Sequence, residues 1–183
     1  MNLPNVLTIL RFFMVPIFVW LFFFEGEYGI LAAGGVFVLA GLTDILDGYL
    51  ARKMNLITDF GKLADPAADK LMQITAFVCL FLKKMVPLWM LIVILLKELS
   101  MILVGGLLYR KGTVVSSKGY GKIASTVFYG ALALSLLFRK LPHAVALIAF
   151  GVAIFLSLAA AVRYVLDYKE SIKNIKKSNY RES

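Results

Sequence analysis

Four aspartates carry the chemistry that this sequence offers. Asp44 and Asp47 stand three residues apart, and Asp65 and Asp69 stand four apart. On helices, each pair shares one face. The segment joining the pairs is short and contains Gly61, so both pairs are expected to meet in one place. Carboxylates gathered there repel each other unless positive charge lies between them. Divalent metal is the natural counter-charge, and carboxylate oxygen is the hard ligand that Mg²⁺ or Mn²⁺ prefers. Zinc would call for imidazole or thiolate, and the chain has one histidine, His143, and one cysteine, Cys79. The competing reading makes the aspartates helix caps and wetted boundary charges, some paired with Arg52, Lys62 or Lys70. That reading explains one isolated aspartate better than it explains two spaced pairs.

The elements that hold these residues are apolar. The chain has 183 residues, 61% of them hydrophobic, and a mean hydropathy of +0.84. A soluble domain is about 45–50% apolar, and one of this size could not hide the excess. Six stretches approach the length needed to cross a bilayer: Val6–Phe24, Ile30–Leu50, Asp65–Leu82, Leu88–Tyr109, Ile123–Phe138 and Ala144–Leu166. They are continuous and too long for alternating barrel strands. The expected fold is therefore an all-α integral membrane protein with six transmembrane helices and no separate soluble domain. Residues 1–167 form one unit and 168–183 a basic tail. Asp44 and Asp47 close the second span, and Asp65 opens the third as its N-cap, with Pro66 in the first helical position. Gly34-Gly35, Gly41, Gly105-Gly106 and Gly130 lie inside spans, where small residues admit close helix approach.

Charge supplies direction. The net charge is +9, and the basic residues fall mostly on one side of the expected layout. Only Lys83, Lys84, Arg139 and Lys140 lie on the other side, and Lys97 sits within a span. The positive-inside bias places both termini, the loops 51–64 and 110–122, and the aspartates at the cytoplasmic face. The tail reads equally as a segment on an anionic leaflet or as a frayed end. Nucleic acid is a poor partner for a chain with so little soluble surface. The N-terminus lacks the basic region of a cleaved signal peptide.

The spacing Asp44-x-x-Asp47-Gly48-x-x-Ala51-Arg52, eight residues, then Gly61-x-x-x-Asp65-x-x-x-Asp69 resembles the signature of the CDP-alcohol phosphatidyltransferases. Pro4-Asn5-x-x-Thr8-x-x-Arg11 is similar to the opening of that family's bacterial glycerophosphate members. The resemblance implies a helical bundle with a polar cavity open to the cytoplasm and a homodimer in the cell membrane. It implies a two-metal site of Mg²⁺ or Mn²⁺ on Asp44, Asp47, Asp65 and Asp69, with Asp69 also the general base. It places Asn5, Thr8, Gly48, Ala51, Arg52 and Gly61 at the CDP group. Chemically these assignments are reasonable, since glycine admits close backbone approach and arginine can pair with diphosphate oxygens. The implied reaction is attack of an alcohol on the lipid-side phosphate of CDP-diacylglycerol, with release of CMP.

The acceptor is read from the basic residues. Lys97-Glu98 lies inside the fourth span, where an ionisable pair is costly, and either locks helices together or meets a ligand. Lys97, Arg110, Lys118 and Lys122 together would make an anion site suited to glycerol 3-phosphate. The glycerophosphate members carry Arg-Glu in the fourth span and Gly-Lys-x-Lys-Thr before the fifth. This chain has Lys97-Glu98 and Gly121-Lys122-Ile123-Ala124-Ser125. Phosphatidylglycerol as acceptor, giving cardiolipin, is therefore the alternative. A small ion transporter would spread its carboxylates through the bilayer depth, and a membrane scaffold would need no such cluster.

Overall fold

The computed structural model describes residues 3–54, 58–110, 119–138 and 142–179, and within these several helix-end side chains are not described. Among the described residues the secondary structure is entirely helical, in six elements: α1 (Leu3–Phe23), α2 (Gly29–Lys53), α3 (Asp59–Leu82), α4 (Leu88–Arg110), α5 (Gly119–Leu137) and α6 (His143–Asn179). The long apolar runs leave the backbone only the helix as a way to pair its own polar groups without water. The described α1–α2 and α3–α4 turns are short. The α3–α4 turn contains Lys84 with φ 59°, a left-handed position that ends one helix and redirects the chain.

Helix α1 packs against α2 and α3, α5 against α2 and α6, and α4 against α3 and α6. The core between them is aromatic. Phe18, Phe22, Phe37, Phe77 and Phe150 are fully buried with Met72, Leu80, Leu132 and Leu136. Phe77 meets Phe150 edge-on at 5.2 Å between ring centres, a favoured quadrupole arrangement. Gly34 brings α2 against α5, since a Cβ there would lie 3.0 Å from Leu137 and 3.1 Å from Leu136. A Cβ at Gly35, Gly41 or Gly130 would meet nothing within 4 Å among the described residues.

Large apolar side chains also cover much of the outer surface. Phe13, Trp20, Ile45, Ile148 and Phe155 all face outward, Phe155 at 72% exposure. Three helical stretches among the described residues are long and apolar enough to cross a membrane: Pro4–Phe23, Gly29–Leu50 and His143–Arg163. Only about a quarter of each is buried, so their remaining surface requires lipid. Ile123–Leu137 is apolar but shorter. Six spans were expected. α3 falls short of that standard because Asp59, Lys62, Asp65, Asp69 and Lys70 crowd its first half.

Two boundaries differ from expectation. The third helix begins at Asp59 and not at Asp65, and Thr58 is its N-cap. Thr58 is extended (φ −111°, ψ 154°), and its hydroxyl accepts the Gly61 N–H at 3.0 Å. Pro66 consequently lies inside α3, and Asp65 is released from capping. α6 continues unbroken to Asn179, through the expected start of the tail.

Candidate active site

The four aspartates gather where the end of α2 meets α1 and the first half of α3. The fields of Asp65 and Asp69 both reach Asp44, and that of Asp65 reaches Asp47. The positive charge between them is supplied by the chain itself. Arg11, on α1 and 1% exposed, donates through Nη1 to Asp44 Oδ1 at 2.9 Å and through Nη2 to Asp47 Oδ2. Asp47 is buried with it, whereas the Asp44 side chain is 41% exposed. An arginine inside an apolar helix is stable only with such partners.

The other two aspartates are held by hydroxyls. Thr8 is fully buried, and its Oγ1 lies against both the Pro4 carbonyl at 3.1 Å and Asp65 Oδ1. Tyr129, from α5, donates to Asp69 Oδ1. Phe37 of α2 covers the Tyr129 ring at 5.2 Å, which fixes the direction of that hydroxyl. A second network ties the start of α1 to that of α3: Thr58 Oγ1 donates to Asn5 Oδ1 at 2.8 Å. Gly61 makes room for it, because a Cβ there would lie 3.2 Å from Thr58 Oγ1 and 3.4 Å from Asn5 Oδ1. Thr8 and Gly61 thus lie beside Asp65, and Asn5 joins them through Thr58.

The donor chemistry fits a hard divalent cation, since every candidate ligand is a carboxylate. The grouping is not a closed cage. Among the described residues no set of three or more Asp, Glu, His or Cys converges as a ready metal site, and Arg11, Thr8 and Tyr129 each engage carboxylate oxygens. One face of Asp44 stays open to solvent, and Arg11 Nε has no hydrogen-bond partner among the described residues.

A second charged cluster adjoins the first. Lys70, next to Asp69 on α3, lies 3.0 Å from Glu98 Oε1, and Lys97 pairs with the same oxygen. Lys97 therefore does form the ion pair that was one of its two readings, and it also borders a small polar cavity with Lys70 and Gln73. The remaining expected acceptor residues are not brought there by any described contact. Arg110 ends α4 and Lys122 lies in the first turn of α5, but their side chains fall outside the described residues, as does Lys118 altogether. Gly48 is half-buried on α2, while the side chains of Ala51 and Arg52 are likewise outside the description.

Sequence reasoning gave no role to Arg11, Tyr129 or Thr58. Arg11 had a usable signal, a lone cation in the apolar run Thr8–Met14 that must find acid somewhere. Tyr129 had none, being one more aromatic in an apolar helix.

Comparison with known proteins follows the same outline. The chain matches the family described as CDP-alcohol phosphatidyltransferase over residues 1–162. It is 34% identical over 188 aligned positions to the CDP-diacylglycerol--glycerol-3-phosphate 3-phosphatidyltransferase of Bacillus subtilis (strain 168), covering 94% of this chain and 97% of that protein. A probable phosphatidylglycerophosphate synthase of Mycobacterium tuberculosis (strain H37Rv) is 34% identical over 181 positions, 97% of this chain and 86% of that one. A cardiolipin synthase (CMP-forming) of Streptomyces coelicolor is 38% identical over 116 positions, 61% of this chain and 54% of that one.

Proposed function

The chain belongs to the CDP-alcohol phosphatidyltransferase family, and from that premise we propose that it transfers the phosphatidyl group of CDP-diacylglycerol to glycerol 3-phosphate. The products are phosphatidylglycerophosphate and CMP. It is a membrane-bound transferase of phospholipid synthesis. The observation that carries the reading is the grouping of Asp44, Asp47, Asp65 and Asp69 at signature spacing within a chain matched along nearly its whole length by glycerophosphate enzymes.

In the mechanism, Asp69 takes the proton of the acceptor hydroxyl. The freed oxygen attacks the lipid-side phosphorus, a new P–O bond forms, and the P–O bond to CMP breaks. Asp44, Asp47, Asp65 and Asp69 would hold Mg²⁺ or Mn²⁺, which when bound offsets charge on the attacking and leaving oxygens. Tyr129 keeps the Asp69 carboxylate oriented, and Thr8 does the same for Asp65. Arg52, Gly48 and Ala51 bind the CDP group with the α1–α3 junction around Asn5 and Gly61. Lys97, with Arg110, Lys118 and Lys122, receives the acceptor's phosphate.

The same reading has all six helices crossing the cell membrane, both termini and the polar cavity at the cytoplasmic face, and residues 1–167 as the catalytic unit. The basic stretch 168–183 lies along anionic lipid. A homodimer is supported by the unpacked glycine positions 35, 41 and 130, which leave close approach open to a second copy.

Phosphatidylglycerol is the second reading, supported by Ala124 where the glycerophosphate members carry a lysine and by the similarity to the Streptomyces cardiolipin synthase. An acceptor panel decides. Purified protein with CDP-diacylglycerol and Mg²⁺ or Mn²⁺ is given glycerol 3-phosphate, phosphatidylglycerol, inositol 1-phosphate or serine. Phosphatidylglycerophosphate and CMP are expected from the first alone. Cardiolipin from the second would move the function, and no CMP with any acceptor would end the transferase reading.

A further inference from the structure

α3 carries Asp65, Asp69 and Gln73 at successive four-residue steps, so Gln73 lies on the same stripe one turn beyond the candidate base. Its side chain is 3% exposed, and its Nε2 has no hydrogen-bond partner among the described residues. A buried amide donor without a partner is rare in folded proteins and marks a place where one is missing. Gln73 borders a cavity of about 10 Å³, room for one water-sized group, walled by Lys70, Lys97, Glu98, Ser125 and Ser157. Both ammonium groups on that wall contact Glu98 Oε1, whereas the amide Nε2 has no described partner.

We infer that Gln73 is a specificity-determining residue whose amide N–H donates to the non-reacting hydroxyl of a small polyol-phosphate acceptor. The inference rests on the glycerol 3-phosphate reading and deepens it. Residues one turn apart on a helix face are separated by about 5–6 Å. Two hydroxyls on adjacent carbons fit that interval, the reacting one at Asp69 and its neighbour at Gln73. The cavity admits an oxygen and little else. An acceptor without the second hydroxyl leaves the amide dry and unpaired, which is how a site built for a hydroxyl rejects its deoxy analogue.

The test compares glycerol 3-phosphate with 3-hydroxypropyl phosphate, which keeps the phosphate and the reacting hydroxyl and lacks the middle one. The wild-type protein should favour glycerol 3-phosphate in kcat/KM by roughly tenfold to a hundredfold. Gln73→Met, close in shape but without the donor, should lose most of that preference while KM for CDP-diacylglycerol stays unchanged. Gln73→Asn keeps an amide but withdraws it by one carbon, and should lose the preference too; it decides the matter if the methionine variant does not fold. A preference retained in either folded variant, or absent from the wild type, overturns the inference. If the wild type makes no product from glycerol 3-phosphate yet converts phosphatidylglycerol, the acceptor reading itself has failed and takes this inference with it.

Discussion

At the junction of α1, α2 and α3, four aspartates gather around one guanidinium that pairs with two of them, whereas at the junction of α3 and α4 two ammonium groups share one carboxylate. The first cluster keeps negative charge to spare and suits a cation. The second keeps positive charge to spare and suits an anion. α3 joins them, with Asp69 and Lys70 as neighbours. On the proposed reading, the first cluster would serve proton and metal, the second a phosphate-bearing acceptor, and the two would divide one reaction between them. The division can be broken residue by residue.

The largest effect is expected at the base. Asp69→Asn should lower turnover by about 10²–10⁴-fold, the usual worth of a positioned general base, while CDP-diacylglycerol still binds. Single-turnover product formation alongside a binding isotherm separates the two. Wild-type-like turnover would remove Asp69 from the mechanism.

The aspartate cluster is also the more fragile of the two. Asp47→Ala leaves Arg11 buried with one of its two partners gone, and breaking a buried pair costs about 3–5 kcal/mol. Lys97→Ala leaves Glu98 with Lys70 and should cost far less. Thermal unfolding in detergent or lipid compares them, and equal losses would erase the distinction between a closed pair and a shared one.

Tyr129→Phe removes one hydrogen bond to an ionised carboxylate, worth about 1.5–3 kcal/mol, so kcat should fall by roughly tenfold to a hundredfold. KM for both substrates should hold if Tyr129 acts only through Asp69; a change confined to KM would put Tyr129 at a substrate. The smallest effect is at Lys97, whose loss should raise KM for glycerol 3-phosphate by about tenfold, with little change for CDP-diacylglycerol. Equal change for both would make Lys97 purely a structural partner of Glu98, the residue that ties α4 to Lys70 of α3.

The helical fold and the aspartate grouping were legible because both rest on short-range regularities. Continuous apolar runs specify helices, and spacings of three and four place carboxylates on one face. The start of α3 was misread because Asp65-Pro66 is itself a strong helix-start signal, while Thr58 offered the same signal seven residues earlier. What stayed hidden depends on contacts between distant parts of the chain. Arg11 meets Asp44 and Asp47 across 33 and 36 residues, and Tyr129 meets Asp69 across 60. No local pattern encodes such partners. Asn5, Thr8 and Gly61 were assigned to the nucleotide by resemblance; among the described contacts Thr8 and Gly61 adjoin Asp65, and Asn5 meets Thr58.

The central claim is that these four carboxylates hold a catalytic cation. Mn²⁺ titrated into the purified protein, followed by the paramagnetic resonance signal of the free ion, tests it directly. Saturable binding that weakens sharply when each of Asp44, Asp47, Asp65 and Asp69 is changed in turn to asparagine is the predicted result. Binding that is absent, or that survives all four substitutions unchanged, would contradict it.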